Sequence, residues 1–420
     1  MSDSIQQVVL ACGQRAREAA RALVRATAAD KNRALAAIAA ELEKSRPAIH
    51  SANHEDVAFA KSSGMAPAMV DRLTLTEKRF AAMVGGVRDV AALEDPVGEV
   101  LREWTRPNGL RIVKRRFPIG VVGIIYEARP NVTCDAAILC LKTGNATLLR
   151  GGKEAFRSNR AIVTAMVSGL AASGLPADAI QLIPTTDREA VRHMCEMDQF
   201  LDVIVPRGGP DLIEAVVRSA RMPVIKHYKG VCHVYVDRAA DTAMAERIAI
   251  NAKCQRPAVC NAMETLLVDA PIAPDFLPLI AARLAEKGVE LRGCERSREL
   301  VPAMKPATET DWFEEYNDLI LSVRVVGGVA EAIDHIERYG SRHSDAIVTR
   351  DEATARRFLD EVDSATVYWN ASTRFTDGGE FGMGAEIGIS TDKLHARGPM
   401  ALEELTTYKY QILGNGQVRE

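Results

Sequence analysis

From Ile119 onward, short apolar runs alternate with helical periodicity, and this alternation limits what the chain can fold into more than any other feature. The pattern reads strand Val121 to Tyr126, helix Val132 to Thr143, strand Thr147 to Arg150, helix Glu154 to Ser173 and strand Ile180 to Ile183. Helix Arg188 to Met197, strand Val203 to Val205 and helix Pro210 to Arg218 follow. Such repetition predicts a parallel sheet covered by helices on both faces. A second series starts at about Thr242 and runs to the strand Thr366 to Trp369, with strands at Thr265 to Val268, Leu319 to Val325 and Ala346 to Thr349. Two series predict two α/β lobes, and 420 residues are too many for a single core. A cleft between lobes is where a ligand is expected.

Two further regions flank this pattern. The first ninety residues read as helix, with Ile5, Val8, Val9, Cys12, Ala16, Ala19, Ala20 and Leu23 spaced at three and four. Residues 103 to 116 read as two alternating segments around Pro107-Asn108-Gly109, which is a hairpin signal. Being polar on both faces, it is expected to be an arm that pairs with a partner chain at an open strand edge. A terminal strand, Thr407 to Leu413, has the same character. The expected organisation is a cofactor-binding domain from 1–102 and 118–246 and a catalytic domain from 247–375. An arm from 103–117 and 400–420 and a return segment, 376–399, complete it.

Composition excludes several classes of function. The 53 basic residues nearly cancel the 56 acidic ones, leaving a net charge of −3, so no broad footprint for nucleic acid is present. The apolar run Phe117 to Tyr126 is about half of the ~20 residues a membrane span needs. Eight cysteines without a C-x-x-C pair fit a reducing compartment, and a cytoplasmic location is expected. With no HExxH and no carboxylate pair at ligand spacing, no metal is expected.

Three places carry residues suited to chemistry. Arg150-Gly151-Gly152-Lys153 and Arg207-Gly208-Gly209-Pro210 each follow a strand and open a helix. Glycines there let the backbone turn sharply and present N–H groups to an anion. Neither matches G-x-G-x-x-G, so a dinucleotide and a plain turn with solvated arginine remain equally open; Arg150 with Lys153 would suit the extra phosphate of NADP. The third place is Asn251 to Thr265, where Pro257 must end the helix carrying Cys254 and leaves Cys260 in the loop before a strand. A loop cysteine near Lys253 and Arg256 can be held as a thiolate, the form that attacks carbonyls, while the spacing also allows a packed, inert thiol. A cysteine hydrolase using one of the eight histidines stays open on these residues alone.

Four stretches then resemble a known family. Tyr126-Glu127-Ala128-Arg129-Pro130-Asn131, the Arg-Pro-x-Val-Cys-Asn run ending at Asn261, the run from Val329 to Ile347 and that from Phe381 to Ser390 are similar to the γ-glutamyl phosphate reductases, within the aldehyde dehydrogenase superfamily. The likeness spans nearly the whole chain. It implies the aldehyde-dehydrogenase-like α/β fold, two lobes plus a protruding oligomerisation arm, and NADPH-dependent reduction of L-glutamyl 5-phosphate to L-glutamate 5-semialdehyde. It further implies Cys260 as nucleophile and Asn131 as the side-chain donor of the oxyanion hole. Arg150 and Lys153 fall at the adenosine ribose, Gly208 and Gly209 at the pyrophosphate, and Glu315 at the nicotinamide ribose. Arg129, Lys253, Arg256 and Asn261 are candidate substrate contacts. A homodimer or tetramer is expected, as is a contact with glutamate 5-kinase.

One departure from the superfamily pattern bears on the reaction. Hydrolytic members carry a glutamate just ahead of a Gly-Gly pair, where this chain has His227-Tyr228-Lys229-Gly230. Without that carboxylate to activate water, a thioester survives long enough to meet hydride or phosphate. This favours an acyl-phosphate reductase over a hydrolytic semialdehyde dehydrogenase, the nearest rival reading.

Overall fold

The structure, a computed structural model, describes residues 2–226 and 228–419. The chain divides into two units. One comprises the chain to Lys226, Gly382–Gly388 and the chain from Met400; the other runs from after Lys226 to Phe381 and takes in Ile389–Pro399.

The first unit opens with helices α1 (Ser2–Leu23), α2 (Ala28–Lys44), α3 (Arg46–Ser62), α4 (Pro67–Leu73) and α5 (Glu77–Ala92). Val9, Cys12, Ala16, Ala20 and Leu23 are buried along one side of α1, as the spacing requires. A reciprocal cap between Thr27 and Asp30 starts α2, while Pro47 sits in the first turn of α3, where a missing N–H costs nothing. Next come strands β1 (Val100–Thr105), β2 (Arg111–Pro118) and β3 (Val121–Tyr126), helix α6 (Pro130–Lys142) and strand β4 (Ala146–Gly151). Helix α7 (Phe156–Ser173), β5 (Ile180–Leu182), α8 (Glu189–Glu196), β6 (Val203–Arg207) and α9 (Pro210–Ser219) follow. β5, β4, β3 and β6 form a parallel sheet in that order. Every residue of β3 and β4 is buried, which is why both read as continuous apolar runs.

The second unit holds β7 (Cys232–Val236), α10 (Thr242–Cys254), β8 (Met263–Asp269), α11 (Ala273–Glu286), β9 (Glu290–Gly293) and α12 (Glu295–Leu300). It continues with β10 (Lys305–Pro306), β11 (Ile320–Val326), α13 (Val329–Tyr339), β12 (Ser344–Val348), α14 (Glu352–Glu361) and β13 (Thr366–Trp369). Its sheet runs β10-β9-β11-β8-β7-β12-β13, parallel throughout. Side chains alternate between two cores. Leu266 and Val268 pack with Ile248, Phe276 and Leu284, whereas Leu267 packs with Ile336 and Phe358. Each fully buried side chain of this size contributes about 1.5–3 kcal/mol.

The expected boundary at 246 moves to Lys226, because β7 pairs with β8 and β12 and so belongs to the second sheet. The expected return segment 376–399 is also divided. Gly382–Gly388 joins the first unit, where Ile387 N–H donates to Met400 O at 2.9 Å and a Cβ on Gly388 would strike Arg207. Strands β14 (Ile389–Ser390) and β15 (Gly398–Pro399) pair within the second unit. The last strand, β16 (Thr406–Leu413), joins the hairpin in an antiparallel sheet of order β1-β2-β16. Val100, Leu101, Tyr408, Tyr410, Ile412 and Leu413 are exposed on its outer strands. Among the described residues, no helix is long and apolar enough to cross a membrane.

Candidate active site

The second unit builds a cysteine-bearing loop. Helix α10 ends at Cys254, Pro257 follows in the connection, and β8 begins at Met263. Cys260 is half-buried in between, while Cys12, Cys134, Cys140, Cys195 and Cys232 are buried. Burial pushes the Cys140 thiol up to about 12 and raises those of Cys134, Cys232 and Cys254. These thiols stay neutral and inert.

The backbone of Cys260 is fixed on both sides. A Cβ placed on Gly230 would lie 1.9 Å from the Cys260 carbonyl oxygen, so only glycine permits this approach. The same oxygen accepts the Cys232 thiol at 3.2 Å. Asn261, only 5% exposed, donates its amide to Thr376 O at 2.8 Å, and its own carbonyl accepts from the Thr373 hydroxyl at 2.7 Å. Glu315 joins from the segment before β11, accepting the Gly230 N–H, and burial raises its carboxyl above the ordinary range. Of the His227–Gly230 segment, His227 lies outside the described residues.

Cations divide sharply here. Lys253 is fully buried and meets Glu264, equally buried, at 2.6 Å, where burial raises the Glu264 carboxyl and the Lys253 charge opposes that rise. Its ammonium therefore faces a carboxylate inside the unit instead of the loop surface. Arg256 is exposed. Arg374, which sequence reasoning missed, donates from Nε to Gln255 Oε1 at 2.9 Å and from its terminal nitrogen to Asn261 Oδ1. Burial and then the charge of Arg256 lower its pKa, and Cys260 also acts on it electrostatically. The signal available was Ser372-Thr373-Arg374, a short polar run three residues beyond the end of β13, which has no local motif to mark it.

In the first unit, Arg129 precedes α6 and Asn131 lies in its first turn. The Asn131 amide donates to Asp135 Oδ2 at 2.8 Å, one helical turn on. Burial pushes the Asp135 carboxyl up to about 6, against the effect of the Asn131 bond. At the end of β4, Arg150 is 8% exposed and donates to the carbonyls of Gly151, Thr186 and Asp187. Its Nε is buried with no partner, and Lys153 beside it is exposed. At the end of β6, Gly208 and Gly209 are exposed, and Gly209 N–H donates to Glu127 Oε2 at 3.2 Å. A Cβ on Gly208 would lie 2.6 Å from the same oxygen, so a side chain there would displace the Glu127 carboxylate. An orphaned guanidinium N–H, a free lysine and a glycine turn at a helix start are donors that suit an anionic dinucleotide.

Two parallel-sheet units with a surface cysteine loop before a strand define the class. A family model described as the aldehyde dehydrogenase family matches residues 2–318, and the chain belongs to that family. Within it, the chain is similar to enzymes named γ-glutamyl phosphate reductase. That of Moorella thermoacetica is 60% identical, covering 97% of this chain and 98% of the relative. That of Carboxydothermus hydrogenoformans is 59% identical, covering 98% and 99%. The crystal structure of the γ-glutamyl phosphate reductase of Thermotoga maritima superposes with a TM-score of 0.96 at 49% identity, covering 98% of this chain and all of that one.

Proposed function

We propose that the chain reduces L-glutamyl 5-phosphate to L-glutamate 5-semialdehyde and phosphate, the second step of proline synthesis from glutamate. The observation that carries this reading is the half-exposed Cys260 on a loop held by Gly230, Cys232 and Thr376, beside two arginines. The full-length similarity to enzymes of that name supports it.

The Cys260 thiolate attacks the acyl carbonyl, the carbon–oxygen bond to phosphate breaks with its electron pair leaving on phosphate, and a thioester remains on sulfur. Asn131, with the Cys260 N–H, donates to the oxyanion, and removing one such donor costs about 3 kcal/mol. The Asn131 amide has two hydrogens, and its bond to Asp135 uses one, which fixes the direction of the other. NADPH, when bound, supplies the hydride that converts the thioester to aldehyde and thiolate. Arg150, Lys153, Gly208 and Gly209 hold its adenosine and pyrophosphate, and Glu315 its nicotinamide ribose. Arg129 and Arg256 contact the substrate, whereas Asn261, buried with its amide on Thr376 and its Oδ1 on Arg374, positions the loop. Lys253 contributes by ordering the loop through Glu264.

The exposed apolar side chains on β1 and β16 support pairing between copies in a homodimer or tetramer, in a cytoplasmic enzyme that takes its substrate from glutamate 5-kinase. The reverse assay tests the reaction: pyrroline-5-carboxylate, NADP and phosphate are expected to give NADPH. Equal NADPH formation with phosphate omitted would favour the hydrolytic rival.

A further inference from the structure

We propose that Arg374 and Arg256 form the subsite for the phosphate that leaves the acyl carbon, with Arg374 as its principal donor; this rests on the acyl-phosphate reading. Arg374 is bonded to Asn261, the residue after Cys260, and to Gln255, the residue before Arg256. Its segment is anchored at several points: Ser372 Oγ accepts the Arg374 N–H, Thr373 bonds the Asn261 carbonyl, and Thr376 Oγ1 bonds Ser344 at 2.7 Å and Tyr368 at 2.7 Å. The guanidinium is therefore held in place before any ligand arrives. It has five N–H donors, and the Gln255 and Asn261 bonds leave three for a planar, forked grip on a phosphate.

Two arginines repelling one another beside a nucleophile is an arrangement that an anion relieves. Asp377 and Glu380 offset part of that repulsion from a distance, but the bonds of Asp377 Oδ1 go to the N–H groups of Gly379 and Glu380, and Glu380 is exposed. Distance along the substrate decides which anion. The phosphate is bonded through one oxygen to the carbon that sulfur attacks, whereas the α-carboxylate lies several bonds away. A cation tied to the residue next to Cys260 meets the leaving group. In the forward direction it takes up the developing negative charge on the departing phosphate; in the reverse direction it holds inorganic phosphate against the thioester.

The test is the reverse reaction with inorganic phosphate varied at saturating NADP and pyrroline-5-carboxylate. Arg374→Gln is expected to raise the KM for phosphate by roughly 10- to 100-fold, the range for a lost charge-assisted hydrogen bond, with the KM for pyrroline-5-carboxylate moving less than about threefold. Arg374→Lys should recover part of the loss. A KM shift confined to pyrroline-5-carboxylate would assign Arg374 to the carboxylate and overturn the proposal, as would no shift in either. Should Arg374→Gln fail to fold, Arg256→Gln at its exposed position takes its place, read as loss of phosphate protection of Cys260 against iodoacetamide; undiminished protection counts against the subsite. A wild-type enzyme without phosphate-dependent NADPH formation would instead overturn the reaction itself.

Discussion

The two units treat their charged residues in opposite ways. In the first, Arg150 stands at the end of β4 and Glu127 directly after β3, yet both are engaged with backbone, Arg150 on three carbonyls and Glu127 on the Gly209 N–H. In the second, Lys253 is sealed against Glu264 while Arg374 and Arg256 stay beside Cys260. A motif position therefore predicts where a side chain starts but not what its end group touches. At its two Arg-Gly-Gly turns the first unit leaves Gly208, Gly209 and Lys153 exposed, whereas the second keeps arginine side chains beside the cysteine.

Breaking the second unit's chemistry should have the largest effect. Cys260→Ser is expected to lower NADPH oxidation at least ~10³-fold with near-normal stability, measured by steady-state rates alongside thermal melting. Next, Lys253→Met leaves Glu264 buried without its partner, and chemical denaturation should register a loss of about 3–5 kcal/mol. The pair Lys253→Met with Glu264→Leu should regain much of that stability, which would mark the ion pair as a means of ordering the loop. In the first unit, Asn131→Ala is expected to lower kcat roughly 10²- to 10³-fold while leaving the KM for NADPH within about twofold. The contrast at β4 is smaller. Lys153→Ala should raise the KM for NADPH several-fold without altering stability, whereas Arg150→Met should cost stability as well, because three carbonyls lose a donor.

The second unit also predicts an acid limit set by a buried histidine. His335, 3% exposed among His233, Trp312 and Tyr339, has both ring nitrogens buried without partners, and burial lowers its pKa to about 2. Unfolded, it takes up a proton below about pH 6.5; folded, it does not until about pH 2. Its contribution is lost as pH falls below 6.5, at up to ~1.4 kcal/mol per pH unit. His335→Phe should flatten the acid side of a plot of melting temperature against pH, and an unchanged slope would mean other groups set that limit.

Legibility followed locality. The strands β3, β4, β6, β8 and β11 announced themselves as short apolar runs, and Cys260 was legible because Pro257 must stop the preceding helix. Strand β7 was passed over because Cys232-His233-Val234-Tyr235-Val236 mixes polar and apolar residues, and the His233 ring finds its partner, Asp345 at 2.8 Å, only on β12. That omission moved the domain boundary by twenty positions. Arg374 was missed because nothing within its own segment signals a ligand; its meaning comes from Asn261 and Gln255, more than a hundred residues earlier.

By itself, the sequence determined the two α/β series, the family and the loop position of Cys260, since each rests on residues near one another in the chain. Tertiary structure decided which cations are sealed and which are open, and where one unit gives way to the next. Those outcomes depend on solvation and hydrogen-bond partners that exist only once distant segments have packed together.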